Sequence, residues 1–219
     1  MSEVDRKLLR MGGTVRGMIV DAVNAFLNGE MHLVDAVFRQ DDVVDDLEDD
    51  VELTCMRLLA LQQPMARDLR RVNSASRVAS ELERMADHAV EIGRYARKIH
   101  QECFPPRPLV DVANMAYVTE QMLDDSLTAF VHHDIDLIER ICKDDDIVDA
   151  EYKNNRDQLI EVATRDSSLV GAATYTLLII GSIERIADHC TNIAERVGYL
   201  ETGSLRRLTR QRNPEREDK

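Results

Sequence analysis

The chain has 219 residues, with 28 Lys and Arg against 41 Asp and Glu, a formal charge of -13 and 44% hydrophobic residues. That is apolar material for one large domain or two small ones. The acidic balance argues against a nucleic-acid ligand, because backbone affinity rests on Lys and Arg displacing counterions.

Aromatics make up 4% of the residues, there is no Trp, and 9 Gly and 5 Pro interrupt the chain. Long stretches of Leu, Ala, Met, Arg, Glu and Asp favour an all-helical protein. The opening MSEVDRKLLR carries charges where a signal peptide requires an apolar core. No run approaches the roughly 18 apolar residues of a spanning helix. A cytoplasmic location is expected. Cys55, Cys103, Cys142 and Cys190 lie far apart without a CxxC, which fits reduced thiols, with Cys190 in the core.

In chain order, apolar residues at three- and four-residue spacing predict helices over 5–28, 30–62 and 66–102, then 108–132, 134–164 and 168–201. The breaks at Asn28-Gly29, Gln63-Pro64, His132-His133 and Arg165-Asp166 are short, so successive helices are antiparallel neighbours. Three prolines within Phe104-Pro105-Pro106-Arg107-Pro108 cannot sit inside a helix and divide the chain. This sets a first three-helix bundle over residues 1–105, a second over 106–203, and a charged tail over 204–219. The tail is expected to be frayed. Its Arg206, Arg207, Arg210 and Arg212 are a solvated run or a contact for anionic lipid or an acidic partner.

The halves repeat. AFLNGEMHLVDAVFRQDDVVDDLE from Ala25 lies over AFVHHDIDLIERICKDDDIVDAE from Ala129 at an offset of 104 residues. ERMADH at 83–88 answers ERIADH at 184–189 at an offset of 101. The fold expected is therefore all-α, a tandem duplication of two three-helix bundles built from six long antiparallel helices.

The repeated segments carry carboxylates four residues apart, which project from one helix face about 5 to 6 Å from each other. Asp41 with Asp45 and Glu83 with Asp87 are the pairs of the first half. Asp145 with Asp149 and Glu184 with Asp188 are those of the second. Steps of about 100° per residue put Glu83 and Asp87 at the edge of the stripe of Leu82, Ala86, Ala89 and Val90. Asp41 and Asp45 likewise flank Val44, Val51 and Leu58, and Glu48 and Glu52 continue that acidic stripe. If neighbouring helices pack through these stripes, four carboxylates of each half meet at the bundle rim. Such like charges raise one another's pKa unless a cation intervenes. Oxygen ligands suit Mg, Mn, Ca or ferric-type iron.

A lone DxxxD on an acidic helix is ordinary surface; two matched sets of pairs point to metal. His88 and His189 are outer ligands or polar residues between helices, the second being favoured. Arg84 and Arg185 orient a carboxylate, meet an anion on the metal, or are surface charges.

The block RLLALQQPMARDLRRVNSASRVASELERMADHAVEIGRYA, with DDVVDDLE before it and DDDIVDAE and SIERIADHCTNIAERV after it, resembles the PhoU family of phosphate-uptake regulators. The likeness runs from about Lys7 to Leu200. It implies two three-helix bundles side by side, each holding iron, zinc or another metal, with Mn or Mg also possible. The ligands it assigns are Asp41, Asp45, Glu83 and Asp87, and Asp145, Asp149, Glu184 and Asp188.

The resemblance also implies a cytoplasmic, dimeric negative regulator that couples the transporter ATPase PstB to the histidine kinase PhoR, touching membranes only through these partners. Asn192 to Glu195 keep the family's NIAE. The first half has Glu91 for the amide and Arg94 for the acid, so its outer shell departs from the pattern.

Two rival functions belong to other classes. A ferritin-like di-metal enzyme needs Glu-x-x-His, and no histidine here has Glu three residues before it. No phosphate loop or nucleophile motif is present. A metal-free helical scaffold would use its acidic stripes for solubility or for a basic partner.

Overall fold

The computed structural model describes residues 3–102 and 108–204. Six long helices occur among them: α1 (Glu3–Asn28), α2 (His32–Gln62), α3 (Arg67–Glu102), α4 (Ala113–His132), α5 (Asp136–Arg165) and α6 (Val170–Thr202). The described residues contain no strand. The proline segment from Phe104 to Arg107, Cys103 and the tail from Leu205 onward lie outside the described residues, as does the boundary placed between 105 and 106.

Helices α1, α2 and α3 pack on one another, and so do α4, α5 and α6. The two bundles meet through α3 against α6, the most extensive contact in the molecule, and through α1 against α4. That leaves α2 and α5 on the outside. Their patterns show why. Helix α5 buries only Ile141, Val148, Asn155 and Leu159, and α2 buries Val34, Val37, Val44, Leu47, Val51, Thr54 and Cys55. Helix α6 instead buries 15 of its 33 residues, from Ala172 to Leu200.

Turn chemistry fixes the hairpins. Gly29 holds φ 73 between α1 and α2, a left-handed conformation that a β-carbon disfavours. Gln63 and His133 adopt left-handed conformations as the residues after α2 and α4.

Every helix start departs from the sequence reading by one to five residues, and at two of them the structure shows the cause. Helix α4 begins at Ala113 and not at 108: Asp111 caps it by accepting the Ala113 N–H at 2.9 Å. Val110 and Val112 are buried in the arm that precedes it, so their apolar character reflects packing and not a helical face. At the other junction Ser167–Leu169 form a single 3-10 turn. Asp166 holds that turn by accepting from the Ser168 N–H at 2.9 Å and the Ser168 hydroxyl at 2.7 Å.

The apolar content of α6 also exceeds expectation. Within Ser167–Thr202 an 18-residue window reaches a mean hydropathy of 1.4, enough to cross a membrane by composition, with 44% of it buried. The buried part of that apolar surface faces α3, α4 and α5, while Val170 and Leu178 stay exposed.

Salt bridges join the bundles at their edges. Arg16 on α1 reaches Glu120 and Asp124 on α4 at 3.3 and 3.1 Å. Arg67 at the start of α3 reaches Glu201 near the end of α6 at 2.7 Å. Arg71 pairs with the buried Asp5 at 2.7 Å and contacts the His133 ring. Cys55 and Cys190 are buried free thiols. Burial pushes the Cys190 thiol far above its ordinary pKa, so it is an inert core group.

Candidate metal rims on the outer helices

The stripes that fold the bundle also aim the acids. Leu82, Ala86, Ala89, Val44 and Val51 are fully buried, and the carboxylates beside them come out at the edge of the α2–α3 packing. Asp41 and Glu83 are half-buried, while Asp45 and Asp87 are exposed. Ser80 on α3 donates to Glu48 Oε1 on α2 at 2.8 Å, tying the two helices beside the rim.

Electrostatics shows that the four acids of the first half share one neighbourhood. Burial, then Asp87, Glu48 and Asp45, push the Glu83 carboxyl up to about 7. Burial followed by Asp45 and Asp87 raises Asp41. Asp45 rises through burial and the charges of Asp87, Asp42, Asp46 and Asp49. Two cations temper this: Arg84 acts on Glu83, and Arg94 acts on Asp41.

In the second half Asp145, Asp149, Glu184 and Asp188 are all half-buried on α5 and α6. Asp149 accepts from Lys153 at 3.4 Å. After burial, the charge of Asp145 adds to the rise of the Cys190 thiol. Among the described residues no three His, Cys, Asp or Glu side chains are arranged to hold one metal ion.

A second polar cluster centres on His88 and His189, and their partners Glu81 and Ser182 escaped the sequence reading. His88 on α3 and His189 on α6 stack between the bundles, with ring centroids 5.5 Å apart. This is the between-helix role favoured for them. His88 Nδ1 lies 3.0 Å from Glu91 Oε2, and Ser182 donates to the same oxygen at 3.1 Å. His189 Nδ1 lies 2.7 Å from Glu81 Oε2, which also accepts from the Asn192 amide at 3.0 Å.

In the repeat, Glu81 corresponds to Ser182 and Glu91 to Asn192. The first half thus supplies both carboxylates, and the second half supplies both small donors. Glu91 reaches Ser182 of α6, and against the effect of burial its bonds with His88 and Ser182 hold its carboxyl below the usual range. Glu91 standing where the second half has the amide of Asn192 was the signal available in the sequence.

The model of the PhoU domain matches this chain twice, over residues 8–96 and 112–197, which are the two bundles. The chain belongs to the PhoU family. A PhoU homolog of Clostridium acetobutylicum, described as a phosphate-specific transport system accessory protein, is 33% identical over 93% of this chain and 93% of its own length. The accessory protein PhoU of Escherichia coli K12 is 35% identical over 93% of this chain and 84% of its own. The crystal structure of PhoU from Pseudomonas aeruginosa superposes with a TM-score of 0.87 at 35% identity, covering 92% of this chain and 97% of that one. The PhoU of Streptococcus pneumoniae, titled a phosphate transport system regulatory protein, gives 0.86 at 32% identity, over 94% and 97%.

The six-helix, two-bundle fold is thus the PhoU fold, and the sequence resemblance is borne out at the level of family and architecture.

Proposed function

We propose that this chain is a negative regulator of phosphate uptake and phosphate-starvation signalling, coupling the ATPase PstB of the phosphate transporter to the histidine kinase PhoR. The observation that carries this reading is the match of the PhoU domain to both halves of the chain, together with relatives named as accessory and regulatory proteins of phosphate transport. Those names describe regulation, which speaks for a non-catalytic role. The chain acts in the cytoplasm as a homodimer and meets the membrane only through its partners.

In this reading each outer rim holds metal, iron or zinc, with Mn or Mg as alternatives. Asp41, Asp45, Glu83 and Asp87 are the ligands in the first bundle, and Asp145, Asp149, Glu184 and Asp188 those in the second. The chemistry of the donor set fits hard oxygen-preferring cations. The elevated Glu83 carboxyl supports the fit, since a bound cation would relieve the repulsion that raises it. A metal supplies positive charge and open positions for phosphate or a partner's carboxylate. The residues of the chain orient it at the edge of the helix pair.

One observation favours a second reading, the metal-free scaffold: no three candidate ligands converge among the described residues. In that case the acidic rims meet a basic partner surface directly. The carboxylate-bridged enzyme has less support, for the relatives are named as accessory and regulatory proteins.

Pulldown of the transporter ATPase and the sensor kinase with this chain, at high and low phosphate, tests the proposal. Retention of either partner in a phosphate-dependent manner is expected. Retention of neither at any phosphate concentration would overturn it.

A further inference from the structure

Between the end of α2, the start of α3 and the end of α6 lies a cavity of about 540 Å³, within the size range of small-molecule sites. Met56, Leu59, Leu69 and Val72 give it an apolar wall, and its charged groups are Arg70 from α3 and Glu52 from α2. Asn73, Ser76 and Tyr199 add an amide and hydroxyls. An apolar wall with a few polar groups suits a small amphiphilic molecule. None of the eight rim carboxylates lines this cavity.

Arg70 decides which molecule. Of the arginines that open α3, Arg67 pairs with Glu201 and Arg71 with Asp5, each at 2.7 Å. Arg70, between them, has no carboxylate partner among the described residues, and its Nε is buried without a hydrogen-bond partner. Buried donors are ordinarily satisfied, and the edge of a guanidinium matches the two oxygens of a carboxylate. The guanidinium sits by Gly203 at the end of α6, where a β-carbon would lie 3.7 Å from Nη1. Glu52 sets the charge of the ligand. A single anion is met by Arg70, whereas a second negative charge in the same cavity would be opposed by Glu52.

We propose that this cavity binds a small monocarboxylate with an apolar body, of the chemical class of a medium-chain fatty acid. Its carboxylate lies on Arg70 and its chain on Met56, Leu59 and Leu69. The charge of the head group selects the arginine, and the apolar wall excludes water from the pair, which strengthens it. The site is separate from both acidic rims, and the proposal does not rest on the transport role.

The test titrates decanoate, below its aggregation concentration, into the full chain by calorimetry, and follows the Met56 methyl signal in protein with labelled methionine methyls. Expected are one site with Kd on the order of 0.1 mM and a shift of the Met56 signal. Decanol, which lacks the anion, should bind about tenfold more weakly or worse. Octanoate, shorter by two methylenes, should lose about tenfold through the apolar wall. Arg70→Met should weaken decanoate by about tenfold or more at an unchanged Tm, since Arg70 supports no internal pair. Glu52→Gln should bind decanoate at least as well as the native chain. Absence of binding at about 1 mM decanoate would overturn the proposal. So would equal binding of decanol, binding unaffected by Arg70→Met, or binding that leaves the Met56 signal unmoved. Displacement of decanoate by excess inorganic phosphate would mean a plain anion site, and the proposal would be wrong. Should Arg70→Met lower the Tm, the comparison of decanoate with decanol in the native chain decides.

Discussion

His88 on α3 lies stacked on His189 of α6, the ring planes 25° apart, at equivalent positions of the two repeats. Each imidazole is held by a carboxylate of α3: Glu91 for His88 and Glu81 for His189. The contact between bundles is therefore a polar seam set into the large α3–α6 interface. Buried polar groups of this kind specify one register because every partner must be present at once.

Glu81 is the most exacting member, accepting from both His189 and Asn192. Glu81→Ala leaves two donors without an acceptor and is expected to cost about 2–3 kcal/mol in urea unfolding. Ser182→Ala removes one hydroxyl donor and is expected to cost about 1 kcal/mol. Equal small effects for both would show that the seam is solvated and not a register lock.

Close approach of α1 and α4 makes a second test. A β-carbon on Gly12 would lie 2.2 Å from the Leu127 Cδ1, whereas one on Gly13 or Gly17 would meet nothing within 4 Å. Gly12→Ala should lower stability by about 1–2 kcal/mol as Leu127 shifts. Gly17→Ala should raise it by about 0.5–1 kcal/mol through helix propensity. Thermal melts of the two variants check the opposite signs.

Protonation of Glu83 gives a pH signature. The folded chain holds this proton up to pH about 7, whereas an unfolded Glu releases it near pH 4.3. Between those values the folded state binds more protons, so the contribution of Glu83 to stability falls as pH rises. Glu83→Gln in chelator should therefore stabilise the chain at pH 8, by about 1 kcal/mol after allowance for solvent screening. The gain should vanish near pH 4.5. His88, whose pKa is lowered by burial, pulls the other way below pH 6.5, but it is common to both proteins and cancels in the comparison. A pH-independent difference would remove the electrostatic account of this rim.

The helices, their pairing and the duplication were legible in the sequence because a 3.6-residue apolar period and a 101–104-residue repeat leave little freedom. Val110 and Val112 misled the start of α4, since apolar residues in a capping arm look like a helical face. The acid rim of the first half was legible from the four-residue spacing. The seam was not, because Glu81, Glu91, Ser182 and Asn192 form no motif within either repeat. Only the packing of α3 on α6 brings them together.

The departure at Arg94 also finds a physical place. Its charge offsets part of the rise that burial and the neighbouring acids impose on Asp41, so the first rim carries a cation where the second has Glu195. Arg94→Glu should raise metal affinity at the first rim by about tenfold, the effect of about 1.4 kcal/mol of relieved repulsion on a bound cation. Calorimetric titration of the variant against the native chain measures it. An unchanged affinity would place Arg94 outside the rim's field.

The most direct test of the account is metal content and its effect on melting for protein prepared without chelator. The account predicts stoichiometric iron, zinc or manganese at both rims and a higher Tm on loading, through ligand linkage. Asp45→Asn with Asp87→Asn should halve the metal while leaving the helical signal intact. Protein that carries no stoichiometric metal, with a Tm unmoved by any of the three ions, would contradict it and leave the acidic rims as metal-free docking faces.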